Sequence, residues 1–324
     1  MKICVFGSGA IGGFVAASLA RAGQRVNAVA RGAQLAAIRS RGLAVRIAGE
    51  EFRVELDASD HASDFGVQDI VFVTVKAPAL ETAVKAMAPL LGARTTVVFL
   101  MNGIPWWYYF NHGGPDDGRD MPRLDPNGTI RSIAGPERTI GGIAYCSATV
   151  AEPGRIDIDY PDARFEFGEP DGTMSERVRG VVGLLRNAKL DAIAVANIRE
   201  RIWAKLVLNM TTGPMAVMAG VRLKDLFESA EVQEAARTIL SEGLAIARSL
   251  GMRVDIDSAA VIDKLRKSGH KPSILQDFEA GRPMEIDALY TVALDMGRAN
   301  GVKTPTLDLL VHLVKLRARA AGLY

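Results

Sequence analysis

Three groups of residues have the types and spacing that chemistry requires. The first is Gly7-Ser8-Gly9-Ala10-Ile11-Gly12. It follows a short apolar run and opens a helical pattern, the context that makes a G-x-G-x-x-G spacing specific. Gly7 permits a tight turn, Gly9 lets backbone approach a pyrophosphate, and Gly12 lets the helix pack close to the strand. The helix N-terminus then offers N–H groups and a positive dipole end to an anion. In an NAD site an acid about 20 residues further on binds the ribose 2′-hydroxyl. Here the second strand ends Ala28-Val29-Ala30-Arg31, with an arginine and no acid. A guanidinium forks around a phosphate and stacks on adenine, so Arg31 is expected to bind the 2′-phosphate of NADP.

The second group ends later strands. Lys76 closes the run Asp69-Ile-Val-Phe-Val-Thr-Val, and Met101-Asn102-Gly103 follows another apolar run. Ligands bind outside the carboxyl ends of parallel strands, so Lys76 and Asn102 can reach cofactor or substrate. The plain alternatives are a surface lysine on a loop and a tight turn. The third group is Trp203-Ala-Lys205-Leu-Val-Leu-Asn209. Lys205 and Asn209 share one helix face, and Gly213 continues it. Partial burial beside Trp203, Leu206, Val207 and Leu208 would lower the lysine pKa and suit it to act as an acid near neutral pH. Otherwise the side chain snorkels to solvent. Further on come Ser273 and Glu285. Gly281 and Pro283 break a helix, so Glu285 starts the next one, where the dipole favours a carboxylate in any case.

These residues need a scaffold, and the hydrophobic pattern supplies one. Strand patterns at 2–6, 25–30, 69–75 and 95–100 alternate with helical patterns at 12–22, 34–41 and 80–91. A short hairpin is expected across 43–56. That alternation predicts βαβ units and a doubly wound parallel sheet. Residues 105–136 break the rhythm with Gly, Pro, Asp and Arg, opening with Trp106-Trp107-Tyr108-Tyr109-Phe110. Packing onto the domain is the favoured reading of those rings, a lid or partner patch the other. Strand patterns resume at 139–150 and 164–168, followed by a helix at 175–189. From 198 onward long helical patterns dominate, at 198–219, 229–249, 259–267, 286–300 and 304–320. The domains are therefore placed at 1–196 and 197–324. Apolar stripes such as Leu307, Leu310, Val311 and Val314 are expected to pack inside the helical domain.

Composition narrows the function classes. The chain has 324 residues, 48% hydrophobic and 23% charged, which excludes a disordered chain. Lys plus Arg is 39 against 37 Asp plus Glu, a net charge of +2, too little field to hold nucleic acid by counterion release. Cys4 and Cys146 make no disulfide framework and read as small buried thiols of a reducing, cytoplasmic compartment. The four histidines and two cysteines form no metal-ligand spacing. The uncharged stretch 3–20 is interrupted by four glycines and reads as strand and helix, with no membrane span or signal peptide expected.

Taken together, these motifs resemble the ketopantoate reductase (2-dehydropantoate 2-reductase) family. The matching elements are the N-terminal GSGAIG, Ala30-Arg31, VTVKA around Lys76, Asn102-Gly103, W-x-K-x-x-x-N from Trp203 to Asn209, and S-x-L-Q-D…E-I-D from Ser273 to Asp287. They come in the family's order over nearly the whole chain. The resemblance implies an α/β fold: an N-terminal Rossmann doubly wound sheet and a C-terminal all-helical domain like that of 6-phosphogluconate dehydrogenase relatives, with the active site in the cleft between them. It implies NADPH as cofactor and reduction of a 2-oxo acid, ketopantoate to pantoate, in pantothenate biosynthesis. Lys205 would protonate the developing alkoxide and Glu285 would organise the site. Gly7, Ser8, Gly9, Ala10, Ile11, Gly12, Arg31, Lys76 and Asn102 would bind cofactor, and Asn102, Asn209 and Ser273 would bind substrate. No metal is implied, and a homodimer is one assembly the resemblance allows.

Three departures bear on the substrate. Gly213 stands where the family often has a second asparagine, Met101 replaces a common glutamine, and the 105–136 excursion exceeds the minimal pattern. Gly213 is expected to remove one substrate hydrogen bond and to leave room, and asparagine there to raise ketopantoate turnover. A related reductase of another 2-oxo acid and an opine-type dehydrogenase remain alternatives, with His270 the histidine to test. A non-catalytic NADP-binding sensor is the alternative of a different class.

Overall fold

The apolar run at the N-terminus forms β1 (Ile3–Phe6), buried along its whole length. This computed structural model describes residues 1–160 and 162–324. The following elements are α1 (Ala10–Arg21), β2 (Val26–Val29), α2 (Gly32–Arg41), β3 (Leu43–Ile47), β4 (Glu50–Val54), β5 (Asp57–Ser59), β6 (Ile70–Val73), α3 (Leu80–Met87) and β7 (Thr96–Leu100). After them come α4 (Thr129–Ala134), β8 (Thr139–Tyr145), β9 (Ala148–Glu152), β10 (Arg155–Ile158), β11 (Arg164–Gly168), α5 (Glu176–Asn187) and β12 (Asp191–Ala194). The chain divides into two units, the first comprising Met1–Met101 and Trp106–Ile198, the second Asn102–Pro105 and Arg199–Tyr324.

Among the described residues of the first unit, eight strands form one sheet in the order β12-β11-β8-β7-β6-β1-β2-β5. Pairing is parallel from β8 through to β5, while β11 runs antiparallel to β8. Order reverses at β1, which has β2 on one side and β6 on the other. That is the switch point where the Rossmann-like sheet opens a crevice at its strand ends. Helix α1 packs Phe14, Val15 and Leu19 into the core with Phe72, Val98, Phe165 and Phe167. Each such side chain contributes about 1.5–3 kcal/mol by leaving water.

Several expectations need correction. Residues 139–150 do not form one strand: β8 joins the large sheet and β9 a second sheet, ordered β4-β3-β10-β9. There β3 lies parallel to β10, more than a hundred residues away, a pairing with no local signal. The short strands β5, β10 and β12 and the helix α4 lay below the pattern's resolution. Cys4 is buried, and burial pushes its thiol up to about 12, but Cys146 is only half-buried. The rings that open the 105–136 excursion pack onto the domain: Trp106, Trp107, Tyr108 and Tyr109 are buried and Phe110 is half-buried. Trp106 meets Phe99 edge-on with centroids 5.6 Å apart, and a Cβ on Gly141 would lie 2.5 Å from the Trp107 ring. Asp125 accepts from the Ile130 and Arg131 N–H groups at 3.0 and 2.9 Å, capping α4.

The second unit follows in α6 (Ile198–Ala219), α7 (Leu223–Leu226), α8 (Ala230–Ser249), α9 (Ser258–Lys267), α10 (Ser273–Glu279), α11 (Val292–Ala299) and α12 (Pro305–Ala320). Ser229 and Asp257 cap α8 and α9 through their side-chain oxygens. The buried Glu242 carboxylate caps α12 from α8, accepting from Thr306 and Leu307 N–H at 3.0 and 2.8 Å. Leu307, Val311 and Val314 are buried inside this unit as their spacing predicts, while Leu310 is only half-buried. The pattern at 286–300 is not one regular α-helix, because Asp287–Thr291 form a π-helical turn that leads into α11. Such turns insert one residue into a helix and recur at functional positions. No helix among the described residues is long and apolar enough to cross a membrane.

Candidate active site

In the first unit the glycine turn leaves β1 at the switch point. The Val29 carbonyl accepts from the Gly7 and Ser8 N–H groups at 3.0 and 3.1 Å, so β2 supports the turn. Gly7 has φ +103°, where an L side chain is strained, and a Cβ there would lie 2.7 Å from Val75. A Cβ on Gly12 would lie 2.2 Å from the Thr74 hydroxyl and 2.3 Å from the Gly7 carbonyl. Thr74 donates to that same carbonyl at 2.7 Å, which ties the turn to the end of β6. Gly9 differs: a Cβ there meets nothing within 4 Å. It is the N-cap of α1, followed by the first-turn amides of Ala10, Ile11 and Gly12. Two glycines that close contacts demand and one facing open space fit a turn built for a phosphate to approach.

One contributor to this turn carries no sequence signal. Gln34 of α2 donates to the Ser8 carbonyl at 2.9 Å and accepts from the Gly154 N–H at 2.9 Å. Arg31 is exposed and is the N-cap of α2, directly after β2. Lys76 is exposed and follows β6, where its carbonyl accepts from the Ala79 N–H at 2.9 Å.

The second unit gathers the other group. Lys205, on α6, donates from Nζ to Asn102 Oδ1 at 2.7 Å. This contact joins residues 103 apart, and the lysine is half-buried. Asn102-Gly103 is more than a tight turn. Gly103 has φ +82°, and a Cβ there would lie 2.3 Å from the Ala288 carbonyl oxygen. Ile104 donates its N–H to the same carbonyl at 2.8 Å. The π-turn therefore holds the segment that presents Asn102 to Lys205. Asn209 lies one turn along α6 and is half-buried. Glu285 is buried just before the π-turn, where its carbonyl accepts from the Leu289 N–H, so the carboxylate sits at a positive helix end. Ser273 begins α10 and is exposed, and the His270 carbonyl accepts from the Leu223 N–H.

Gly213 corrects an expectation. It leaves no room: a Cβ there would lie 2.0 Å from the Tyr290 hydroxyl and 3.2 Å from Ile274. An asparagine at 213 therefore collides with Tyr290, and a gain of ketopantoate turnover from that single change is no longer expected. Glycine inside a helix costs roughly 0.5–1 kcal/mol relative to alanine, and Pro214 removes a ladder donor beside it. Within α6 this weak point coincides with the volume that the phenol fills.

Comparison with known proteins completes the assignment. The model of the family described as ketopantoate reductase PanE/ApbA matches residues 3–172, and that of its C-terminal part matches residues 197–318. The chain belongs to the ketopantoate reductase family. A 2-dehydropantoate 2-reductase of Mesorhizobium japonicum is 41% identical over 100% of both chains. One of Archaeoglobus fulgidus is 27% identical over 97% of both. Among solved structures, a Ralstonia solanacearum chain itself provisionally assigned as a ketopantoate reductase matches with TM-score 0.93 and 36% identity, covering 99% of each chain. The 2-dehydropantoate 2-reductase of Methylococcus capsulatus matches with TM-score 0.83 and 27% identity, over 99% of this chain and 98% of that one. Family membership makes the chain an oxidoreductase of a nicotinamide-dependent family, with a Rossmann-like sheet and a helical C-terminal part.

Proposed function

We propose that this chain reduces a 2-oxo acid to the 2-hydroxy acid with NADPH, and that the 2-oxo acid is ketopantoate. The observation that carries the reading is the Lys205–Asn102 pair at 2.7 Å, formed by two motif residues of a family of 2-dehydropantoate 2-reductases. The turn Gly7-Ser8-Gly9-Ala10-Ile11-Gly12 would hold the pyrophosphate, with Gly9 giving open approach. Arg31 would pair with the 2′-phosphate, and Lys76 and Asn102 would lie beside the cofactor. When bound, NADPH supplies a hydride to the keto carbon.

The chain's own residues handle the charge that results. As the carbonyl carbon is reduced, negative charge grows on its oxygen. Asn102 holds the Lys205 ammonium in one orientation, and the ammonium has three donors. A second donor accordingly serves the ketone oxygen and passes a proton to it as the alkoxide forms. A preoriented cation at the developing charge is a large electrostatic contribution. Asn209 and Ser273 would hold the rest of the substrate. Glu285 would organise the site from its helix end.

The test is NADPH oxidation, followed by absorbance, over a panel of 2-oxo acids that includes ketopantoate, with NADH as control. Turnover of ketopantoate supports the reading, and NADPH binding without turnover on any panel member refutes it in favour of a sensor. Arg31→Ala is expected to raise KM for NADPH at least about tenfold more than KM for NADH, the scale of one charge-assisted hydrogen bond. Equal weakening of both cofactors would remove Arg31 from the 2′-phosphate site.

A further inference from the structure

The Tyr290 hydroxyl is buried and makes no hydrogen bond to another protein group. Its residue is 0% exposed. Buried hydroxyls are almost always paired, so an unpaired one calls for a partner such as a bound water or a ligand group. The π-turn that docks Asn102-Gly103 also carries Tyr290, and this phenol stands 2.0 Å from where a Gly213 Cβ would be. Lys205, Asn209 and Gly213 succeed one another every four residues on one face of α6. The stripe thus runs ammonium, amide, then a phenol supplied from outside the helix. Burial and the Glu285 carboxylate both push the phenol's pKa above its ordinary value, which keeps it a neutral donor.

We infer that Tyr290 is a specificity-determining residue: its hydroxyl binds a hydrogen-bonding group on the tail of the 2-oxo acid, in the place a side chain at 213 would otherwise occupy. The inference rests on the reductase reading above. It makes the preferred substrate a 2-oxo acid with a hydroxyl or similar acceptor on its tail, and it disfavours a purely aliphatic one. A site built to bond such a group discriminates against the analogue that lacks it, because the site's own polar atom is then left unpaired.

The experiment compares Tyr290→Phe with the wild type on two substrates. One is ketopantoate; the other is 3,3-dimethyl-2-oxobutanoate, the same acid without its hydroxyl. The variant is expected to lower kcat/KM for ketopantoate by about 10- to 100-fold, mainly through KM. Its kcat/KM for the deoxy analogue should stay within experimental error of the wild type, as should its affinity for NADPH. Equal losses on both substrates, or no loss on either, overturn the inference while leaving the reductase reading in place. A wild type that turns over neither compound overturns both. Melting temperatures test the steric premise separately. Gly213→Ala should melt below the wild type, and Gly213→Ala placed in the Tyr290→Phe background should recover most of that loss. Additive shifts would mean that the hydroxyl does not fill the Gly213 site.

Discussion

Replacing Lys205 with alanine is expected to lower kcat by about 10²–10⁴, the usual range for a positioned acid. The loss has two parts. On the reading proposed above, the proton donor would disappear, and so would the cation placed where alkoxide charge develops. Asn102 then loses the group it orients. Since the glycine turn belongs to the other unit, the Kd for NADPH should hold. Steady-state kinetics and a cofactor titration together check this. A variant with near-normal kcat would remove the acid role, and one that loses NADPH binding would show that the substitution reaches beyond the reaction centre. Lys205→Arg keeps the charge but presents a planar fork in place of a compact ammonium, so it should recover little activity.

Gly12→Ala should be the most damaging single methyl in the first unit. Its Cβ has no space, lying 2.2 Å from Thr74 Oγ1 and 2.3 Å from the Gly7 carbonyl. Backbone must shift, because the second of those atoms is not a flexible side-chain tip. Overpacking of this kind costs about 1–3 kcal/mol. It also drives α1 away from the turn that its N-terminus completes. The expected result is a lower melting temperature and NADPH affinity reduced beyond calorimetric detection. Gly9→Ala is the control, since that Cβ meets nothing within 4 Å. It should melt like the wild type yet bind NADPH more weakly if, as proposed, the open side of Gly9 is where the pyrophosphate approaches. If both variants melt normally, the close packing of Gly12 is not what holds the turn.

What was legible in the sequence was local. Gly7 to Gly12 announce themselves within six residues, and the Lys205–Asn209 spacing needs only helix geometry. The large parallel sheet follows from strands alternating with helices. What escaped depends on partners far away along the chain. Gln34 reads as an ordinary polar residue of α2, and only the fold brings Ser8 and Gly154 to its amide. The pairing of β3 with β10 is equally non-local. Tyr290 reads as one member of an apolar helical stripe, because a π-turn and an α-helix share almost the same hydrophobic pattern. Gly213 then looked like vacated space, since nothing nearby in sequence shows that a phenol from 77 positions later fills it.

The docking of Asn102–Pro105 with the helical unit sets a schedule for biosynthesis. Chains emerge N-terminus first, and their domains fold as they appear. The ribosome therefore releases Asn102 long before Lys205, 103 residues later, and longer still before Ala288, whose carbonyl anchors the same segment. Until the π-turn is made, this short stretch has no surface to dock against. The glycine turn can form early, but the segment that carries Asn102 must wait for the π-turn that anchors it. A nascent fragment can thus acquire its glycine turn while the Lys205–Asn102 contact is still unassembled.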